Sequence, residues 1–248
     1  MLQNFESLVL IWLGVGFIAF ITLLKIPAPY GKFSKTNWGP MIPSKLGWIV
    51  MEIISPLALL YFFLNGNIVK TPTNITFVSL WTLHYLNRSV IYPLRQNNPA
   101  QMPLIIAMLA FLFNVMNGYI NGTYFGSIQQ YSAEYMSNWN FIVGVCLFII
   151  GAYINIKSDN ILLSLRSESG EYKIPQGFLF RYVSFPNYLG EILEWMAFAI
   201  MTWSLAGLSF MIWTMANLVP RAIKGHQWYH SKFESYPKKR KAIFPFII

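Results

Sequence analysis

Ten side chains able to carry charge or donate strong hydrogen bonds lie within apolar runs or at their ends: Glu52, His84, Tyr85, Arg88, Asn155, Asp159, Asn187, Glu191, Glu194 and Arg221. An ionisable group among apolar residues is costly, so each is a functional candidate. Asn155 and Asp159 stand four residues apart, as do Asn187 and Glu191, so each pair shares one helix face. Acids and cations facing one cavity could pair with each other or grip a polar cofactor. Other chemistries lack their residues. The chain has neither GxGxxG nor GxxxxGK[ST]. It has no HExxH, and His84, His226 and His230 do not form a convincing metal set. The single Cys146 excludes an intramolecular disulfide. The last apolar run has no buried Lys for a Schiff base.

The elements that must position these residues follow from composition. The chain has 248 residues, of which 55% are hydrophobic, 17% aromatic and only 11% charged, with mean hydropathy +0.46. Soluble domains carry about 25% charge, so an ordinary soluble enzyme, a coiled coil and a disordered chain are excluded. The expected fold is all-α and polytopic, in a single domain over 1–248. Apolar runs of transmembrane length predict seven helices, at about 7–25, 47–64, 74–92, 102–120, 139–157, 187–204 and 206–223. The first run lacks a signal peptide's basic start, since Glu6 precedes it. Net charge is +9. Alternate loops carry 17 of the Lys and Arg residues and the opposite set carries one, Lys70. The positive-inside rule therefore predicts an external N-terminus and a cytoplasmic C-terminus. The same rule explains the basic total without a nucleic-acid partner. The tail run Lys238–Lys241 reads as a contact with lipid headgroups. Asn74 and Asn121 head N-x-T sequons on the outer side, too near the membrane to weigh much.

Topology also sets depth. Glu52 lies about five residues into its helix from the cytoplasmic end, roughly 8 Å at 1.5 Å per residue, and Tyr85 lies roughly 10 Å from the cytoplasmic end of the third. Asn155 and Asp159, Asn187 and Glu191, and Arg221 also fall near cytoplasmic ends. Five helices thus place polar groups at one level, which predicts a polar pocket open to the cytoplasm. Taken singly, these residues have plain readings. Glu52 would be an interhelical hydrogen bond, Tyr85 an interfacial anchor, Arg88 a snorkelling cation and Glu194 part of a polar seam. Trp203, Phe210 and Trp213 read as lipid-facing, and Asn117-Gly118 as packing.

Several stretches carry a resemblance: Gly47-Trp48-Ile49-Val50-Met51-Glu52, Leu83-His84-Tyr85-Leu86-Asn87-Arg88, Gly151 through Asp159, Tyr172 through Gly177, Asn187 through Trp195, and Arg221 through Pro237. In order and spacing they resemble the steroid 5α-reductases, the 3-oxo-5α-steroid 4-dehydrogenases. The resemblance implies a seven-helix membrane fold with NADPH bound inside the bundle, residues 140–248 carrying most of its contacts. It implies that Glu52 and Tyr85 are the catalytic pair at the substrate's 3-oxo group, with Trp48 and Met51 lining the steroid pocket. It implies NADPH contacts from Asn155, Asp159, Arg166, Tyr172, Asn187, Glu191, Arg221 and Tyr229. Met51 stands where relatives often have Gln. The implied reaction reduces the Δ4 bond of a 3-oxo steroid drawn from the bilayer, without an obligate protein partner. In it Tyr85 donates to the 3-oxo oxygen, and so does Glu52 if burial keeps it protonated.

Three other readings stay open: reduction of another apolar enone, enoyl or polyprenol; methyl transfer from S-adenosylmethionine, as in isoprenylcysteine methyltransferases; and a non-catalytic membrane protein. Composition inclines the expected location to a bacterial inner membrane, with the endoplasmic reticulum as the eukaryotic counterpart.

Overall fold

The computed structural model describes residues 2–96, 100–165 and 172–248. It is mostly helical. Among the described residues seven long helices run in order: α1 (Leu2–Lys25), α2 (Ser44–Leu64), α3 (Pro72–Leu86), α4 (Leu104–Thr123), α5 (Trp139–Leu165), α6 (Pro186–Thr202) and α7 (Leu205–Lys232). Each coincides with one of the seven apolar runs. Four stretches are long and apolar enough to cross a membrane on those grounds alone: Leu2–Lys25, Ser44–Leu64, Leu104–Ile128 and Trp139–Leu165. Large apolar side chains cover the outside of α1, where Ile11 is 70% exposed and Phe17 66%. A face of that kind needs lipid against it, and the chain is a membrane protein.

Packing follows small residues. α5 and α6 approach closely because Gly151 and Gly190 face each other. A Cβ on Gly190 would lie 2.5 Å from the Asn155 nitrogen and 2.7 Å from the Gly151 carbonyl oxygen. In lipid, apolar side chains gain little by leaving their surroundings, so close backbone packing at small residues holds helices together. α2 and α4 pack in the same way, where Gly118 meets Ala58 and the Leu59 nitrogen. Between the helices lies an aromatic core around Phe77, Trp81, Trp195, Phe198 and Phe210.

Several details depart from expectation. Phe210 and Trp213 are 2% and 8% exposed, so they are core residues and not lipid-facing. Phe210 packs against Trp81 and Trp195, and Trp213 against Trp12 and Phe113, while Trp203, which takes a left-handed conformation between α6 and α7, remains 70% exposed. α5 and α7 run on past their apolar stretches, to Leu165 and Lys232. Two three-residue strands, β1 (Met41–Pro43) and β2 (Gln101–Pro103), pair antiparallel with Ile42 opposite Met102. They are too short to show alternation in the sequence. α3 continues through a π-helical turn at Asn87–Ile91 into Tyr92–Leu94. Pro93, which has no N–H, follows it directly, and such turns often mark functional sites.

The tail folds back on the segment that leads into α6. Ser184 and Phe185 donate backbone hydrogen bonds to Lys241 and Ala242. The Ser184 Oγ lies 2.6 Å from both His226 Nδ1 and Tyr236 Oη. Arg240 is 3% exposed and donates to the Pro175 carbonyl, so this member of the Lys238–Lys241 run fastens the tail and does not reach lipid headgroups. Asn74 and Asn121 are both buried, and Asn74 Nδ2 donates to the carbonyls of Phe125 and Gln129.

Two predictions follow from this packing. Gly190→Leu forces the α5 and α6 backbones apart, an overpacking cost of at least about 1–3 kcal/mol. The expected result is a lowered melting temperature in detergent, with loss of the monodisperse peak on size exclusion. At the tail, burial, and then the charges of His230, Arg240 and Lys241, hold the His226 imidazole down to about 4 from its ordinary 6.5. The unfolded chain therefore takes up a proton that the folded chain refuses as pH falls from 6.5 towards 4, so stability declines across that window. Melting temperatures between pH 7 and 4.5 should fall less for His226→Gln than for the wild type.

Candidate active site

A cavity of about 1190 Å³ opens among α1, α2, α3, α4 and α7 and reaches the C-terminal part of α5 and the N-terminal part of α6. A pocket for one drug-sized ligand holds about 300–1,000 Å³, so this one has room for two reactants. Its wall has two parts. One is apolar, with Trp12, Leu109, Phe113 and Trp213 among its side chains. The other carries Glu52, Tyr85, Arg88, Asp159, Asn187 and Glu191.

The polar part is organised by Arg88. Its Nη1 lies 3.3 Å from Asp159 Oδ2 on α5, and its Nη2 lies 3.7 Å from Glu191 Oε2 on α6. The guanidinium also sits over the rings of Trp48 at 5.2 Å and Tyr92 at 5.3 Å. The snorkelling reading of Arg88 is therefore replaced by a buried ion cluster. Asn187 Nδ2 donates to Asp159 Oδ1 at 3.0 Å, and Asn155 Nδ2 donates to the Asn187 backbone carbonyl at 2.9 Å. Asn155 is 1% exposed and is not part of the cavity wall. The glycine contact between α5 and α6 encloses it in their interface, so it braces the start of α6 from behind.

Trp48 and Met51 line the cavity beside Glu52, on successive turns of α2. The Tyr85 ring stacks on Trp81 at 5.6 Å and lies 6.0 Å from that of Trp195. Its hydroxyl donates to Asn114 Oδ1 at 3.3 Å. One turn from the cavity wall, His84 Nδ1 lies 2.8 Å from Glu194 Oε2, both side chains buried, which ties α3 to α6. Glu194 is thus a structural partner of His84.

The rim of the cavity near the end of α7 is closed by the segment after α1. Arg221 donates to the carbonyls of Ala28 and Tyr30 and to Tyr188 Oη, and its guanidinium lies 3.5 Å from the centre of the Tyr30 ring. Burial pushes the Tyr30 phenol up to about 12, so it remains a neutral donor. Lys32 lies 4.2–4.8 Å from the ring centres of Phe185, Trp228 and Tyr229. Tyr172 and Tyr229 line this end of the cavity, and Tyr172 meets Trp228 edge-on at 5.0 Å. Arg166 lies outside the described residues.

The wall thus includes eight residues that the resemblance implies as cofactor or pocket contacts besides Glu52 and Tyr85: Trp48, Met51, Asp159, Tyr172, Asn187, Glu191, Arg221 and Tyr229. Sequence reading missed Asn114, Tyr30, Tyr188 and Lys32. Asn114 meets the same criterion as the others, a polar side chain inside an apolar run. The remaining three lie at the rim, where polar residues are ordinary.

Among the described residues, no group of three or more His, Cys, Asp or Glu is placed to hold a metal ion. The donor set fits an organic cofactor. Asn187 Oδ1 and Glu191 Oε2 are buried acceptors without a hydrogen bond among the described residues, on a wall that also presents Lys32 and Arg221. Such a wall can accept from an amide and hold phosphates.

Comparison with known proteins agrees with this architecture. The family model for 3-oxo-5-alpha-steroid 4-dehydrogenase matches residues 100–248. Steroid 5-alpha-reductase DET2 of Solanum lycopersicum is 42% identical over 248 residues, covering 98% of this chain and 96% of that protein. The Arabidopsis thaliana protein of the same name is 43% identical, over 91% of this chain and 90% of its own. The 3-oxo-5-alpha-steroid 4-dehydrogenase 1 of Rattus norvegicus is 37% identical, over 94% and 92%. A helical membrane bundle enclosing one cavity with Glu52 and Tyr85 on its wall, matched along nearly its whole length by these relatives, belongs to the 3-oxo-5-alpha-steroid 4-dehydrogenase family.

Proposed function

We propose that the protein reduces the Δ4 double bond of 3-oxo steroids to the 5α-dihydro product, using NADPH, within a membrane that all seven helices cross with the C-terminus cytoplasmic. The observation that carries this reading is the cavity. Its apolar wall suits a steroid taken from the bilayer, and its charged end, with Arg221 and Lys32, suits a nucleotide entering from the cytoplasm. Tight relatives named for the same reaction support it.

The roles follow from chemistry. NADPH, when bound, would supply the hydride that C5 receives. Asn187 and Glu191 would offer acceptors to its carboxamide, while Arg221, Tyr229, Tyr172 and Asp159 would hold the rest of the molecule. Asn155 acts indirectly, by fixing the carbonyl at the start of α6. During reduction the substrate's 3-oxo oxygen gains negative charge. Tyr85 donates a hydrogen bond to it, and Glu52 donates a second in its protonated form. Preorganised donors in a site free of water stabilise such charge far better than they would in water. Trp48 and Met51 hold the ring bearing the ketone. The enolate then takes a proton from water at C4, which completes the addition of hydride and proton across the double bond.

Detergent-purified protein should oxidise NADPH with testosterone or progesterone, giving a 5α-dihydro product by mass and stereochemistry. Glu52→Gln and Tyr85→Phe should each lower kcat by roughly 10²–10³ while the protein remains folded, the cost of losing one such donor. NADPH binding without reduction of any steroid would move the substrate to another enone or to a polyprenol. Binding of S-adenosylmethionine in place of NADPH would sink the reductase reading.

The ion cluster gives a second prediction. Arg88→Met leaves two buried carboxylates without their cation and should cost about 3–5 kcal/mol. Adding Asp159→Asn and Glu191→Gln removes that charge and should recover most of the melting temperature. NADPH titration by tryptophan fluorescence should still show weakened binding in the triple variant, because the cofactor contacts are gone.

A further inference from the structure

We propose that Asn114 is a positioning residue for Tyr85, coupling its hydroxyl to the backbone beside Glu52. The inference rests on the reductase reading above. Asn114 sits on α4, is 3% exposed and borders the cavity. An amide among apolar residues must satisfy its donors and acceptor, and this one does so across two other helices. Its Nδ2 donates to the Met51 carbonyl on α2 at 2.6 Å, and its Oδ1 accepts from Tyr85 Oη on α3 at 3.3 Å.

The chemistry fixes which end of the amide faces which partner. A backbone carbonyl can only accept, so the NH2 group must face Met51. The oxygen therefore faces Tyr85, and the phenol must be the donor. The ring of Tyr85 is already held by Trp81, Trp195 and His84. The torsion of its O–H is the freedom that remains; Asn114 Oδ1 accepts its proton, while the neighbouring Ser55 hydroxyl, which accepts from Trp81 Nε1, is within reach of the phenol oxygen. At 3.3 Å the bond is longer than the about 2.7–2.8 Å usual for O–H···O. The phenol has one proton to give. A ketone oxygen entering the cavity can draw that proton from a long bond at small cost. Met51 immediately precedes Glu52, so the same amide also fixes the α2 backbone that carries the second donor. Asn114 thereby holds both donors in register before substrate arrives, without giving a proton itself.

A double-mutant cycle tests this. Asn114→Leu should lower kcat about tenfold, with KM for the steroid changed less than about twofold, since preorganisation acts on the transition state. In a Tyr85→Phe background the same substitution should cost less than about twofold, because the hydroxyl it positions is gone. Asn114→Ser, whose short hydroxyl cannot span both partners, carries the same cycle if the leucine variant does not fold. Losses that multiply in the two backgrounds, or an unchanged kcat in Asn114→Leu, overturn the proposal. A wild-type protein inactive toward every enone would instead overturn the reductase reading and this inference with it. Failure of Asn114 alone is distinct, because there the wild type turns over.

Discussion

The buried guanidinium of Arg88 is the interaction on which the site depends. It joins α3 to Asp159 on α5 and Glu191 on α6, and it rests against Trp48 on α2. Taking one cation and two carboxylates out of water costs more than their attraction alone returns. The cluster persists because other groups complete it: Asn187 donates to Asp159, and the faces of Trp48 and Tyr92 cover the cation. Four helices are thereby held at one level. The π-helical turn at Asn87–Ile91 begins beside this residue and shifts the helix register just where the cation must reach two partners.

Close packing makes the cluster possible. Where Gly151 and Gly190 touch, α5 and α6 are near enough for Asn155 to reach the Asn187 carbonyl and for Asn187 to reach Asp159. Larger residues there would separate the helices and break both bonds. A second layer closes the rim of the cavity. Arg221 and Lys32 pin the segment after α1 to the end of α7, one through carbonyls and the Tyr30 ring, the other through three aromatic faces. The cavity is left bounded by charge at one end and by apolar side chains along its length, the division that the proposed pairing of an apolar ketone with a charged cofactor requires.

Asn114 shows how far reading polar residues in apolar runs can go. It satisfies the rule that singled out Glu52 and Tyr85, yet nothing in the spacing tells that it faces them. Phe210 and Trp213 show the reverse. Their run is as apolar as a lipid-facing one, and only the neighbours of α7 turn them into the core.

The sequence by itself determined the seven helical runs, their membrane character, and the level at which polar groups of five helices collect. Hydropathy and the distribution of Lys and Arg are sums along the chain, so they survive without knowledge of contacts. Tertiary structure alone decided which polar groups share a cavity. It placed Arg88 in an ion cluster, withdrew Asn155 behind the wall, and turned Arg240 from a headgroup contact into a clasp for the tail. These outcomes depend on helix rotation and on approach distances set by glycines on separate helices. Those are pairwise quantities between distant positions, and no local pattern in one helix encodes them.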